Sequence, residues 1–135
     1  MARLVMIEDD DIFADMAKEW LEAAGHMVSV VETGEDALDA VLASDPDLLI
    51  LDHNLPGKSG MSVLSQVRQL PHTAGLPILM LTGKTGNLLL ARAHRDGADD
   101  YVTKPVTPEH LLRRVEALLV GANLARRVVQ APLRG

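Results

Sequence analysis

Cysteine is absent from this sequence, and aromatic residues are scarce. Without cysteine the chain forms no disulfide and offers no thiolate as a nucleophile or a metal ligand. Phe13, Trp20 and Tyr101 are its only aromatic residues, so a hydrophobic core has to be built from aliphatic side chains. Hydrophobic residues make up 47% of the 135-residue chain, which is enough for the core of one domain.

Long apolar runs and an excess of basic charge are also missing. No run approaches the roughly 20 apolar residues that span a membrane, so we expect no membrane segment. A strand-like pattern begins directly after Met1 and leaves no room for a signal peptide, which makes the cytoplasm the expected location. The formal net charge of −6 argues against direct nucleic-acid binding by this chain.

Short apolar runs alternate with stretches in which hydrophobic residues recur every three or four positions. The runs indicate strands over 3–7 and 27–31, up to Asp52, over 78–81 and at Tyr101. The recurrences indicate helices over about 13–24, from a cap at Thr33, over about 61–70, over about 86–95, and from a cap at Thr107.

Five strand–helix units in strict alternation predict an α/β fold with a parallel sheet covered by helices on both faces. We expect a (βα)5, flavodoxin-like arrangement, that is, an open five-stranded sheet with strand order 2-1-3-4-5. Residues 1–120 are expected to form one domain. Residues 121–135 are expected to be a C-terminal helix extension, a linker or a tail.

Four of the predicted strands end on polar residues. The endings are Glu8-Asp9-Asp10, Asp52, Thr82-Gly83 and Lys104-Pro105. The carboxyl ends of parallel strands meet at one edge of a sheet, where open α/β sheets bind ligands, so we expect these side chains to lie together. Singly, each is better explained as a helix cap, a solvated acid or a surface lysine. Matching groups at four strand ends favour a shared site.

The residue types at these ends indicate metal-assisted phosphoryl chemistry. Three crowded carboxylates, from Glu8, Asp9 and Asp52, resist joint ionisation unless a cation joins them. Oxygen ligands select a hard ion, Mg²⁺ first, with Mn²⁺ or Ca²⁺ possible. Asp52 is then the candidate nucleophile that forms an acyl phosphate. Lys104 and the Thr82 hydroxyl are candidates to hold the phosphoryl oxygens.

Three other functions compete with this interpretation. A phosphatase of the haloacid dehalogenase class needs a second aspartate two residues after the first, where this chain has Asn54. A flavodoxin-like FMN carrier is disfavoured because Glu8 and its acidic neighbours would repel the phosphate of the cofactor. A docking module that works without phosphorylation remains open, although the set of Asp9, Asp52, Thr82 and Lys104 argues against it.

The motifs resemble the receiver domain of bacterial two-component response regulators over residues 3 to about 120. They are Met6–Asp10, Leu51–Gly57, Leu81–Gly83 and Gly97–Pro105, in that order. The resemblance implies that a histidine kinase or a histidine phosphotransfer protein donates a phosphoryl group to Asp52. It also implies that Asp9 binds Mg²⁺ directly, Glu8 through water or more loosely, and Asn54 through its backbone carbonyl.

The resemblance further implies a switch. Thr82 and Lys104 contact the phosphoryl group, Thr82 moves toward it, and the ring of Tyr101 swings inward. The Lys104–Pro105 peptide bond is expected to be cis. Apart from this self-modification we expect no enzymatic turnover of a separate substrate.

Residues beside the acceptor are expected to tune the reaction. His53 is interpreted as a loop side chain that tunes access to Asp52, and Gly83 as leaving room for the phosphoryl group. Asn54 and Lys84 hold positions that in the family set how fast the acyl phosphate hydrolyses.

In the family, members dimerise or bind an output partner through one surface. It is formed by the fourth predicted helix, the fifth strand and the fifth helix. Three consecutive leucines, residues 88–90, cannot all face the sheet, so at least one is expected to be exposed there. Such a leucine either contributes to a contact or has no role. Whether the chain is a stand-alone receiver or part of a longer protein stays open.

Overall fold

The structure, a computed structural model, describes residues 1–83 and 95–130. The described strands are β1 (Arg3–Ile7), β2 (Met27–Val31), β3 (Leu48–Asp52), β4 (Ile78–Thr82) and β5 (Asp100–Thr103). The described helices are α1 (Asp11–Ala23), α2 (Ala37–Ser44), α3 (Gly60–Gln69) and a C-terminal helix (Pro108–Gln130). Lys84, the three leucines at 88–90 and nearly all of the helix predicted over 86–95 lie outside the described residues.

All five strands are parallel, in the order β2-β1-β3-β4-β5, which confirms the predicted topology. The strands β3 and β4 are buried along their whole length, as their unbroken apolar runs require for strands covered on both faces. The register pairs Asp52 with Leu81 and Thr82 with Thr103. The polar endings of neighbouring strands therefore lie side by side at one edge of the sheet.

Alternate residues along the strands pack into two hydrophobic cores, one on each face of the sheet. Leu4 and Met6 of β1 belong to the core formed with α1 and the C-terminal helix. Val5 and Ile7 belong to the core formed with α2 and α3. This alternation follows from the two-residue period of a strand and leaves both faces of the sheet covered. No helix in the described part of the chain has both the length and the apolar character needed to cross a bilayer.

Side-chain caps begin two helices next to the polar edge. Oδ1 of Asp10 accepts hydrogen bonds from the backbone N–H groups of Ile12 (3.1 Å) and Phe13 (3.2 Å), which fixes the start of α1. Oγ1 of Thr107 accepts from the N–H of His110 at 3.1 Å, so the predicted start of the C-terminal helix is confirmed.

The predicted cap at Thr33 is wrong, because α2 begins only at Ala37. Thr33 instead closes a turn in which its Oγ1 accepts from the Asp36 N–H (3.3 Å) and donates to Asp36 Oδ2 (2.8 Å). The next two residues are held by the β3–α3 loop: Glu35 Oε1 accepts from the Lys58 N–H at 2.9 Å. A Cβ on Gly34 would meet the Lys58 carbonyl oxygen at 2.2 Å. These tertiary contacts compete with a helix that starts at Thr33.

Candidate functional site at the carboxyl edge

Three carboxylates meet where β1 and β3 end. Oxygens of Glu8, Asp9 and Asp52 lie within 4.8 Å of one another. Glu8 follows β1, and its N–H donates to the Val31 carbonyl at 2.9 Å, which continues the pairing with β2. Glu8 is fully buried, Asp52 is 3% exposed and Asp9 is exposed. The cluster thus joins two desolvated carboxylates to one that is open to solvent.

Lys104 reaches this cluster from the end of β5. Its backbone N–H donates to the Thr82 carbonyl at 2.7 Å, which extends the β4–β5 pairing by one residue. Its Nζ forms an ion pair with Glu8 Oε1 and lies 3.6 Å from Asp52 Oδ2. The same Nζ lies 4.6 Å from the centroid of the Phe13 ring, within the range of a cation–π contact.

The charges in this cluster do not balance. Burial raises the pKa of the Glu8 carboxyl, and the neighbouring Asp52 raises it further, against the opposite effect of Lys104. Burial acts to lower the pKa of Lys104, but the two carboxylates outweigh it and raise that pKa above its usual value. With the three acids ionised, three negative charges face one ammonium, so the described cluster carries an excess of two negative charges.

The donor set therefore fits a hard divalent cation. All the candidate side-chain ligands are carboxylate oxygens, and the excess charge matches that of one such ion. The sequence predicts Glu8, Asp9 and Asp52 as a cation site from their chemistry, and the resemblance adds the backbone carbonyl of Asn54. The structure places Asn54 beside the cluster, where its N–H donates to Asp52 Oδ1 at 3.2 Å.

The loop after β3 brings the first residue of α3, Gly60, into contact with the backbone at the end of that strand. The His53 N–H donates to the Leu81 carbonyl at 2.8 Å, and the Gly60 N–H donates to the His53 carbonyl at 3.2 Å. A Cβ on Gly60 would meet the Asp52 carbonyl oxygen at 2.2 Å, so only glycine allows α3 to start there. The backbone of Asp52 is thus held between β4 and the first residue of α3.

The remaining predicted site residues in the described range lie at the ends of β3 and β4 and on β5. Thr82 is 1% exposed at the end of β4, and a Cβ on Gly83 would lie 3.9 Å from Asn54 Nδ2. His53 is half-buried, with its Nδ1 3.3 Å from Asn54 Oδ1. Tyr101 on β5 is 38% exposed.

The Lys104–Pro105 bond is cis. Among the residues assigned a role, Lys84 lies outside the described range.

Phe13 was missed as a residue of this site. Its place in the hydrophobic repeat of α1 indicated only a core side chain, and its ring does belong to the core beneath β1. The available signal was its position three residues after Asp10, in the helix turn that directly follows the acidic strand ending. Which side chain of that turn faces Lys104 depends on how α1 packs on the sheet, because Ile12 in the same turn is exposed whereas Phe13 is buried.

Comparison with known proteins identifies what this arrangement is similar to. The response regulator receiver domain family matches residues 4–116. The phosphate regulon transcriptional regulatory protein PhoB of Rhizobium meliloti is 38% identical over 119 residues. The DNA-binding response regulator MtrA of Mycolicibacterium smegmatis is 40% identical over 117 residues. The alignments cover 88% and 87% of this chain but 52% and 50% of those proteins.

The fold also agrees with that of a solved structure over most of both chains. The crystal structure of a putative response regulator from Chloroflexus aurantiacus superposes with a TM-score of 0.84 at 39% sequence identity. The match covers 88% of this chain and 98% of that one. The chain spans about half the length of the two curated relatives, so it corresponds to one part of those proteins.

Proposed function

The chain belongs to the response regulator receiver domain family of two-component signalling, and we propose that its Asp52 accepts a phosphoryl group from a histidine kinase or a histidine phosphotransfer protein. The observation that carries this proposal is the position of Asp52. Its carboxylate is nearly buried at the end of a central strand, 3.6 Å from the Lys104 ammonium and within 4.8 Å of two further carboxylates.

The proposed reaction is a displacement at phosphorus. A carboxylate oxygen of Asp52 forms a bond to the phosphorus while the bond from phosphorus to the donor histidine nitrogen breaks, and that nitrogen keeps the electron pair. The product is an acyl phosphate on Asp52. The ammonium of Lys104 offsets the negative charge of the phosphoryl oxygens, and the hydroxyl of Thr82 donates a hydrogen bond to one of them.

Magnesium is the proposed cofactor, with Mn²⁺ as a substitute. Asp9 would hold the ion directly, Glu8 through water or more loosely, Asp52 through its carboxylate, and Asn54 through its backbone carbonyl. When bound, the ion supplies positive charge to the phosphoryl oxygens and offsets the excess charge of the acids. With that charge offset, the Lys104 ammonium, which pairs with Glu8 in the structure, would be available to the phosphoryl group.

The proposed output is a change of surface. Thr82 moves toward the phosphoryl group and the half-exposed ring of Tyr101 turns inward, while His53, Asn54, Gly83 and Lys84 tune access and hydrolysis. Phosphorylation shifts the equilibrium between the two conformations only as far as the phosphoryl group stabilises one of them more than the other.

The surface includes β5 and the C-terminal helix, which an ion pair between Asp100 and Arg114 joins at 3.1 Å. We propose that it binds a second copy or an output partner. On family grounds we also propose a cytoplasmic location, no turnover of a separate substrate and no direct nucleic-acid contact by this chain. Residues 1–120 are the proposed receiver domain, and 121–135 the proposed helix extension, linker or tail.

Intact mass spectrometry tests the acceptor directly. The chain is incubated with Mg²⁺ and acetyl phosphate, and wild type is compared with Asp52→Asn and with Asp39→Asn, which removes an exposed acid of α2. We expect one phosphoryl adduct in wild type and in Asp39→Asn, lost in Asp52→Asn and lost when Mg²⁺ is chelated. An adduct that persists in Asp52→Asn would refute the assignment of the acceptor. No adduct from acetyl phosphate or from a panel of histidine kinases would favour the docking module.

A further inference from the structure

A contact between Phe13 and Lys104 extends the site beyond its polar residues. We propose that Phe13 is a positioning residue for the reaction: its ring face holds the Lys104 ammonium in place for the incoming phosphoryl group. This inference rests on the proposed function of Asp52. Its geometric basis is the distance of 4.6 Å between Lys104 Nζ and the centroid of the Phe13 ring.

The backbone of Phe13 is fixed relative to the acidic cluster. Its N–H donates to Asp10 Oδ1 at 3.2 Å, and the N–H of Asp10 donates to Glu8 Oε2 at 3.3 Å. Glu8 is in turn the ion-pair partner of Lys104. Through Asp10, two hydrogen bonds therefore connect the backbone of Phe13, in the first turn of α1, to the carboxylate that binds the ammonium.

The Phe13 ring is also fixed on its other side. Trp20, two helical turns later on α1, packs against it with the ring centroids 6.3 Å apart and the planes at 89°. Such an edge-to-face arrangement is a favourable geometry for an aromatic pair. Phe13 is only 9% exposed, so its ring is packed against the core on the side away from Lys104.

Lys104 requires such a support because its other partners change during the proposed reaction. Its ammonium sits on a flexible four-carbon stem and contacts Glu8 and Asp52. Glu8 is a proposed metal ligand and Asp52 is the proposed acceptor, so both contacts are altered when ion and phosphoryl group arrive. The uncharged ring is the one of these three contacts that neither event removes.

A ring that merely fills space predicts a different result from a ring that binds a cation. Leucine would fill most of the same volume but has no negative π face, whereas tyrosine keeps that face. Phe13→Leu and Phe13→Tyr therefore separate the two roles. Leu21→Val is the matched control, since Leu21 is fully buried on the same helix, eight residues from Phe13, and the variant loses one methylene group.

The test measures the rate of acyl phosphate formation from acetyl phosphate, by intact mass, at saturating Mg²⁺. For Phe13→Leu we expect the maximal rate to fall about fivefold to tenfold, the scale of one desolvated cation–π contact. Its Kd for Mg²⁺ should be unchanged, because the metal ligands are intact. Phe13→Tyr and Leu21→Val should react at the wild-type rate.

A proton NMR measurement reads the contact without any phosphoryl group. The ε-methylene protons of Lys104 should show an upfield ring-current shift in wild type and in Phe13→Tyr that disappears in Phe13→Leu. A wild-type rate in Phe13→Leu, or equal slowing in Phe13→Leu and Leu21→Val, would overturn the positioning role alone. A wild type that gains no adduct would overturn the proposed function and this role together, which distinguishes the two failures.

Discussion

The two edges of the sheet use charge in opposite ways. At the carboxyl edge, defined by the ends of β1, β3, β4 and β5, three carboxylates lie together, and Lys104 pairs with only two of them, Glu8 and Asp52. At the amino edge, where β4 and β5 begin, the guanidinium of Arg68 donates hydrogen bonds to several acceptors. They are Gly97 O (2.8 Å), Ala74 O (3.1 Å), Leu76 O (2.6 Å) and Asp99 Oδ2 (2.8 Å).

The amino edge repeats this matching at the start of β1 and β2. Nδ1 of the buried His26 accepts from the Ala2 N–H at 3.1 Å, while its Nε2 lies 2.9 Å from Glu116 Oε1. Asp99 Oδ2 also accepts from the Ile78 N–H, so the partner of Arg68 fixes the start of β4. Within the described residues no buried side-chain nitrogen or oxygen lacks a hydrogen-bond partner.

The two edges therefore differ in how completely their charged groups are paired. The amino edge satisfies its charges locally, which stabilises the loops that begin the strands. The carboxyl edge keeps an excess of negative charge, which opposes folding but favours a cation. Sites that bind or react commonly carry such a stability cost. Removing an acid of the carboxylate cluster should therefore raise stability, whereas removing Arg68 from the amino edge should lower it.

The largest expected effect is at the amino edge. Replacing Arg68 by methionine should lower the free energy of unfolding by about 3 kcal/mol, because the side chain is 17% exposed and its loss leaves several acceptors unpaired. Urea denaturation measures this change. Arg68→Lys should recover only part of it, since an ammonium cannot reproduce the planar fork. A loss below about 1 kcal/mol would contradict the matching role.

A backbone contact at the carboxyl edge should give the next effect. Gly60→Ala should destabilise the fold by about 2 kcal/mol, because its Cβ would meet the Asp52 carbonyl oxygen at 2.2 Å. Gly121→Ala is the matched control: nothing lies within 4 Å of its Cβ, and alanine in a helix should stabilise by roughly 0.5–1 kcal/mol. Equal effects at the two glycines in thermal unfolding would show that the close approach under Asp52 is not a constraint.

The excess charge itself can be tested with Asp9→Asn. Without metal the variant should be more stable than wild type by about 0.5 kcal/mol, a small gain because Asp9 is exposed and its repulsion is screened. Mg²⁺ at about ten times its Kd should stabilise wild type by about 1.4 kcal/mol, and the variant much less. Melting curves with and without Mg²⁺ measure both. A metal-free variant less stable than wild type would remove the contrast between the edges.

The smallest effect should come from the loop contact beside the site. Glu35→Ala removes the acceptor of the Lys58 N–H and should lower the free energy of unfolding by about 0.5 kcal/mol. Glu35→Gln keeps a side-chain oxygen and should behave as wild type. If both variants lose equal stability, the charge of Glu35 matters rather than the hydrogen bond, and the carboxyl edge is braced electrostatically.

Much of the fold followed from local pattern. The unbroken apolar runs of β3 and β4 predicted central strands, and their alternation with helices predicted a parallel sheet in the observed order. The failure at Thr33 has a specific cause: the cap motif was present, but contacts of Gly34 and Glu35 with Lys58 hold a turn instead. A local propensity of about 1 kcal/mol is readily outweighed by such contacts.

The sequence was sufficient to predict that Glu8, Asp52 and Lys104 lie at one edge of the sheet. An apolar run that stops at a polar residue places that residue at the carboxyl end of a strand, and parallel pairing brings those ends to the same edge. The sequence was not sufficient to assign partners. That Lys104 pairs with Glu8, 96 residues away, and rests on the ring of Phe13 depends on how α1 packs across the sheet. Contacts of this kind are set by distances in the folded chain, which no spacing along the sequence encodes.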